Sequence, residues 1–180
     1  VTGGAGFVGS NLIKYLLRKT NFDIISIDNY STGKKINHIK NNRVKYINSH
    51  TKNISKSLKK FKKNIHSLFH FGEFSRIYQS FLKMTDCIDS NTIGSNEVFN
   101  FCLSNKIKLI YSATSASIGN KGVDKNLSPY AFTKAPTVGS KYPSVSSHTQ
   151  EAALYTFSKC SSTTSVLSPR LIFEMSELGR

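Results

Sequence analysis

The chain has 180 residues, 38% of them hydrophobic, and 25 Lys and Arg against 10 Asp and Glu give a net charge of +15. That composition fits a folded domain and excludes a peptide hormone, a coiled coil or a disordered tail. No run of 18 apolar residues predicts a membrane span, and Val1-Thr2-Gly3 has neither the basic start nor the apolar stretch of a signal peptide.

In chain order, Val1-Thr2 and the glycine cluster behind it read as the end of a strand and a turn. A helix is expected from Phe7 to about Lys19, with Val8, Leu12, Tyr15 and Leu16 at helical spacing. Phe22–Ile27 reads as a short buried strand ending at Asp28, and Val44–Ile47 as the next. Between Lys52 and Lys63 six of twelve residues are Lys, while Ile54, Leu58, Phe61 and Ile65 recur at i, i+4, i+7 and i+11. This spacing predicts one helix with an inward apolar stripe and a solvated basic face. With no arginine among these lysines, neither nucleic acid nor a membrane is an expected partner. Ile65–Phe71 reads as a third strand, and Asp86–Ser104 as a helix with Ile88, Ile93, Val98, Phe99 and Cys102 available for burial. Ile107–Tyr111 reads as a fourth strand. Strands alternating with helices predict an α/β fold, a parallel sheet with right-handed crossovers covered on both faces. Cys87, Cys102 and Cys160 are too widely spaced for a zinc module or a disulfide framework, so reduced thiols and a cytoplasmic location are expected.

The glycine turn carries the first chemistry. Thr2-Gly3-Gly4-Ala5-Gly6-Phe7-Val8-Gly9 places glycines at 3, 6 and 9 between a strand end and a helix start. The first allows a tight turn, the second lets backbone approach a pyrophosphate, and the third allows close helix-to-strand packing. The helix N-terminus would then meet the phosphates with free N–H groups and a positive dipole end. Asp28 ends the next strand 19 residues after Gly9, where a carboxylate accepts bonds from the adenosine ribose hydroxyls and repels a 2′-phosphate. The pattern predicts dinucleotide binding, with NAD favoured over NADP.

Two compositional regimes divide the chain near residue 136. Residues 1–135 hold 15 Asn, 15 Ile and 18 Lys, whereas 136–180 hold no Asn, one Ile (Ile172), two Lys and ten Ser. The expected organisation is a cofactor domain over 1–135 and a Ser-rich divergent tail over 136–180, read either as a frameshifted, spliced or otherwise foreign continuation or as a Ser-rich, loop-rich end of the same domain. Glu151–Ser158 is the one helical stretch expected there. Most of the strand that should precede Gly3 lies outside the sequence, and the chain is read as a fragment.

In this order the motifs resemble those of the extended short-chain dehydrogenase/reductases, the NAD-dependent epimerase/dehydratase family that modifies nucleotide sugars. Gly3-x-x-Gly6-x-x-Gly9, with Phe7 and Val8 inside it, matches the family's turn. Asp28-Asn29-Tyr30-Ser31-Thr32-Gly33 resembles the stretch that wraps the adenosine, and His70-Phe71-Gly72 the backbone beside the cofactor. Asn91-Thr92-Ile93-Gly94 matches the N-x-x-G helix, and Ser112-Ala113-Thr114 stands where a catalytic Ser or Thr closes a strand. Ser128-Pro129-Tyr130-Ala131-Phe132-Thr133-Lys134 supplies the Y-x-x-x-K pair. The resemblance spans residues 1–135. It implies a Rossmann-like doubly wound sheet in three α/β/α layers, truncated at its first strand and lacking most of the substrate domain. It also implies NAD as cofactor, bound by Gly3, Gly6, Phe7, Val8, Gly9, Asp28, Asn29, Ser31, Thr32, Gly33, Phe71, Gly72 and Asn91 together with Tyr130 and Lys134. A nucleotide-sugar substrate follows as well, and a homodimer paired through Asp86–Ser104 and the helix carrying Tyr130.

The Tyr-Lys pair has its own physical sense. Ser128 suits an N-cap and Pro129 a first helical position, so Tyr130 and Lys134 share one helical face. An ammonium beside a phenol would lower its pKa towards neutrality and make Tyr130 a general base, with Thr114 holding the sugar hydroxyl and Ser115 as the alternative. Family dehydratases and decarboxylases carry acidic residues after the catalytic Thr, whereas Ser115, Ala116 and Ser117 follow here. A nucleotide-sugar 4-epimerase is therefore the first expectation, with a 4,6-dehydratase or decarboxylase, or an NAD-binding remnant without turnover, as alternatives. Pro136 lacks the N–H for the Phe132 carbonyl and is expected to cut the Tyr130 helix to about two turns.

Overall fold

A computed structural model of the chain describes residues 1–112, 114 and 127–139. Cys160, Ser115 to Ser117, the expected helix at Glu151–Ser158 and the tail beyond Gly139 lie outside the described residues.

The sheet is parallel throughout. Strand β1 (Ile24–Asp28) pairs with β2 (Val44–Asn48), from Ile24 opposite Val44 to Asp28 opposite Asn48. Strand β3 (Ser67–His70) pairs with β4 (Lys108–Tyr111), from Ser67 opposite Lys108 to His70 opposite Tyr111. Thr2 bridges Ile27 on one side and His70 on the other. The Thr2 N–H donates to the Phe69 carbonyl at 2.9 Å and the Gly3 N–H to the Ile27 carbonyl at 2.8 Å. The order is thus β2, β1, Thr2, β3, β4, with the first residues of the chain at the centre. A doubly wound dinucleotide-binding sheet has this arrangement, and its crevice opens at the carboxyl ends of the strands.

Helices cover both faces. Helix α1 (Phe7–Lys19) buries Gly9, Ser10, Leu12 and Ile13. Its buried line runs through Ile13, which is fully covered, while Val8, one of the expected stripe residues, is exposed. On the other face Ile27, Leu68 and Ile107 pack with Ile54, Leu58, Val98, Phe101 and Cys102.

Three expectations need correction. The lysine-rich segment is not one helix: a 3-10 turn (Thr51–Asn53), a single α-turn α2 (Ile54–Ser57) and a second 3-10 turn (Lys62–Asn64) share it. Its apolar stripe nevertheless packs as expected, with Ile54 and Leu58 in the core and Phe61 and Ile65 against it. Lysines three and four apart, with no acid among them, repel along a helix and weaken it. The segment 84–105 is helical but carries a π turn, Asp89–Gly94, between α4 (Met84–Ile88) and α5 (Ser95–Asn105). The inward face runs through Cys87, Asn91, Ser95, Val98 and Cys102, and Ile88 and Ile93 are exposed. Between these regions lies a short helix that the pattern does not predict, α3 (Ile77–Leu82).

The third correction concerns α6, which runs Pro129–Gly139 straight through Pro136. A proline removes one helical bond, but its fixed φ is itself helical, and the turns before it are anchored. Ser128 Oγ caps the helix by accepting from the Ala131 N–H at 3.0 Å, and Ser80 Oγ accepts from the Tyr130 N–H at 3.1 Å. Ala131, Thr133 and Lys134 are buried.

Candidate active site

The glycine turn sits at the centre of the carboxyl edge of the sheet. Gly3 holds φ +70°, in the left-handed region, and a Cβ there would stand 2.7 Å from the Phe71 carbonyl oxygen. At Gly9 a Cβ would fall 2.2 Å from the Gly3 carbonyl oxygen. The protein's own packing therefore demands both glycines. Gly6 differs, because a Cβ there would meet only the Gly3 oxygen, at 3.2 Å. Among the described residues nothing else lies within 4 Å of that position. The first turn of α1 has no side-chain cap and no acidic residue, and Phe7 at its start is exposed. An open backbone at a bare helix N-terminus is what a pyrophosphate needs, so these residues fit the group.

Asp28 is buried at the end of β1, where Oδ2 accepts from the Ala5 N–H at 2.9 Å and Oδ1 from the Tyr30 N–H at 2.8 Å. Each oxygen keeps a further lone pair for a ribose hydroxyl. A Cβ at Gly33 would lie 2.9 Å from both Asp28 oxygens, so Gly33 keeps that carboxylate uncovered. Asn29, Ser31 and Thr32 form the exposed lip, turned by the Asn29 side chain accepting from the Ser31 N–H at 3.1 Å. Phe71 and Gly72 stand across the turn, their N–H groups donating to Thr2 Oγ1 at 3.1 and 3.0 Å.

Tyr130 and Thr114 share a side-chain hydrogen bond, which brings together the two residues expected to handle the substrate proton. Lys134 lies on the same helix, but its ammonium is held elsewhere. It pairs with the Glu73 carboxylate and donates to the Ser112 carbonyl at 2.8 Å. The direction expected for the phenol is reversed. Burial, the larger cause, pushes Tyr130 above its ordinary value; the Thr114 hydrogen bond pulls it down, and the Glu73 charge pushes it up again. Glu73 is the residue that sequence reasoning missed. It is the sole acid between Asp28 and Asp86 in a basic chain, directly after a buried strand end, and that isolation was its available signal.

Asn91 lies in the π turn of the segment 84–105. It is fully buried, its Oδ1 accepting from the Phe74 N–H at 2.7 Å and its Nδ2 donating to the Phe74 carbonyl at 3.1 Å and to Thr133 Oγ1 at 3.2 Å. It braces the loop after β3 against α6. His70 is another buried brace, with Nδ1 2.7 Å from Thr2 Oγ1 and Nε2 3.0 Å from Ser95 Oγ. Burial pulls its pKa down to about 4. Cys87 and Cys102 are free, buried thiols, and burial pushes Cys102 up to about 12.

The model of the NAD dependent epimerase/dehydratase family matches residues 1–139, more than three quarters of the chain. The chain belongs to this family. Among solved structures it is similar to the UDP-glucose 4-epimerase of Thermotoga maritima, solved with UDP-glucose, at 23% identity and a TM-score of 0.67, covering 76% of this chain and 47% of that one. It is similar also to a UDP-N-acetylglucosamine 4-epimerase from Methanobrevibacter ruminantium, at 29% identity and a TM-score of 0.64, covering 74% and 46%. A dTDP-glucose 4,6-dehydratase from Streptomyces venezuelae, solved with NAD, shares the fold at 20% identity and a TM-score of 0.68, covering 76% and 48%. The chain spans slightly under half the length of each. The fold is therefore the Rossmann-like fold of these enzymes, and epimerases and dehydratases stand side by side among them.

Proposed function

We propose that this chain binds NAD and forms the cofactor half of a nucleotide-sugar 4-epimerase. The observation that carries the reading is the Tyr130–Thr114 hydrogen bond on the same sheet edge as a glycine turn that leaves Gly6 open. NAD, when bound, supplies a hydride acceptor that can return the hydride to either face of a keto sugar. The turn Gly3-Gly6-Gly9, with Phe7 and Val8 at the helix start, would hold the pyrophosphate. Asp28, with the lip Asn29, Ser31, Thr32 and Gly33, would hold the adenosine ribose, and the Phe71-Gly72 backbone would lie along the cofactor. Thr114 orients the sugar hydroxyl, Tyr130 takes and returns its proton, and Lys134 binds the nicotinamide ribose. Ser115-Ala116-Ser117 puts no carboxyl where elimination needs one, which favours epimerisation over dehydration.

A second reading, NAD binding without turnover, is favoured by one observation: Lys134 is engaged by Glu73. One set of experiments separates the two. Calorimetric titration with NAD is expected to show one site, lost in Asp28→Ala. Conversion of UDP-glucose, followed by proton NMR, is expected to fall by on the order of 10² to 10⁴ in Tyr130→Phe. A 4-keto-6-deoxy product in place of the epimer would mean a dehydratase. Binding with no conversion would leave the second reading. Two buried free thiols fit the cytoplasmic location that goes with either.

A further inference from the structure

Ala5 is fully buried in the middle of the glycine turn, and distant parts of the chain hold the peptide groups on both sides of it. Its N–H donates to Asp28 Oδ2 at 2.9 Å. Its carbonyl takes two donors from the segment that follows the lip. One is the Lys34 N–H, at 3.1 Å; the other is Asn37 Nδ2, at 2.7 Å, from a 3-10 turn (Lys35–Asn37). Asn37 stands 32 residues from Ala5 in sequence. The neck of its loop is pinned in turn, with the Tyr30 hydroxyl 3.1 Å from His38 Nε2 and the His38 ring stacked on Tyr46.

Resting on the reading of the glycine turn as a pyrophosphate cradle, we propose that Asn37 is a positioning residue for the cofactor. One donor satisfies a buried carbonyl, and Lys34 already supplies it. The Asn37 donor is surplus to that need, and what it adds is orientation. The Ala5 carbonyl and the Gly6 N–H belong to one planar peptide unit, whose last atom is the Gly6 Cα. The Gly6 N–H donates to the Gly3 carbonyl at 3.1 Å, and the Gly6 carbonyl accepts from the Ser10 N–H at 3.0 Å where α1 begins. With both lone pairs of the Ala5 oxygen gripped, that plane resists tilting, and the Gly6 Cα stays where a pyrophosphate can approach it. Asn37 thereby ties the loop that rims Asp28 to the turn that meets the phosphates, so the two halves of the cofactor site keep a fixed spacing.

The test compares ligands with and without a pyrophosphate. NAD, ADP and adenosine are each titrated into the nitrogen-15 labelled chain and followed by NMR. Asn37→Ala is expected to weaken NAD and ADP about tenfold, the worth of one well-placed hydrogen bond, and adenosine less than about twofold. Asn37→Asp keeps the shape but sets an acceptor against the Ala5 carbonyl, and its loss for NAD and ADP is expected to exceed that of Asn37→Ala. The thermal midpoint of Asn37→Ala should stay close to that of Asn41→Ala, which removes the side chain that accepts from the Arg43 N–H at 2.9 Å in an exposed loop. Equal losses for ADP and adenosine, or no loss for either, overturn the proposal. So does an Asn37→Ala chain that fails to fold, because the second donor would then serve the fold itself. NAD binding lost in Asp28→Ala but undiminished in Asn37→Ala leaves the cofactor reading standing without Asn37. A parent that binds none of the three ligands removes both.

Discussion

At the scale of single residues, Gly6 and His70 make the sharpest commitments. The three turn glycines look equivalent in a motif, yet the fold needs only two of them for itself. Gly6→Ala places a methyl 3.2 Å from one carbonyl oxygen, a squeeze the turn can relieve by a small shift. Its thermal midpoint is expected to stay near the parent's while NAD affinity falls by about tenfold or more, about 1.4 kcal/mol. Gly9→Ala puts its methyl 2.2 Å from backbone, and cooperative unfolding should be lost. If both variants fold and bind NAD like the parent, the turn is not a cofactor cradle. His70 is held neutral by burial, with a pKa of about 4 against about 6.5 in an unfolded chain. Below 6.5 the unfolded chain binds the extra proton and the folded one does not. The stability is fully present above pH 6.5 and drains away as pH falls towards 4, by about 3 kcal/mol in total. Urea midpoints between pH 6.5 and 4.5 should therefore drop more steeply in the parent than in His70→Gln, which keeps hydrogen-bonding capacity without titrating there.

At the scale of elements, the lysine-rich segment shows which patterns were legible. The i, i+4, i+7, i+11 stripe reports which side chains go inward, and Ile54, Leu58, Phe61 and Ile65 all do. It does not report helical continuity, which like-charge repulsion breaks into short turns. Leu58→Ala is expected to cost about 2 to 5 kcal/mol, and Lys60→Ala less than about 0.5, in urea unfolding. A cost near zero for Leu58 would mean the segment is peripheral. The parallel strands were likewise legible because buried strands in this chain are short apolar runs ending at polar residues, Asp28 and His70 among them. The π turn was not. A one-residue insertion in a helix leaves no trace in periodicity over so short a stretch, and Asn91 within that turn faces inward onto Phe74. In the site, Tyr130 and Thr114 were legible because motif spacing carries them. Glu73 was hidden, because its importance comes from four elements meeting in space, distant in sequence from Ser95, Tyr111 and Lys134.

At the scale of the whole molecule, the charge and the apolar surface predict opposite responses to salt. Ile77, Tyr78, Phe81 and Leu82 of α3, Met84 and Ile88 of α4 and Phe132 of α6 are all exposed, on three helices that pack against one another. So much exposed aliphatic and aromatic surface on adjoining helices exceeds the scattered apolar residues that an ordinary surface carries. A second copy of the chain is the partner expected to cover it, and sedimentation equilibrium should then give about twice the chain mass of 20.0 kDa. Phe81→Glu and Phe132→Glu place charges in that contact and are expected to yield the monomer. With +15 on each copy, the two halves repel, so added salt should strengthen the dimer by screening that repulsion. Binding to RNA or DNA through the same lysines would behave in the reverse way, weakening steeply with salt as the entropy gained by releasing counterions shrinks. A monomeric parent that binds RNA tightly at low salt and releases it at high salt would reassign the charge from a solvated surface to a nucleic-acid surface. A dimer that tightens with salt and ignores RNA leaves the charge to solvent and the apolar face to the partner copy.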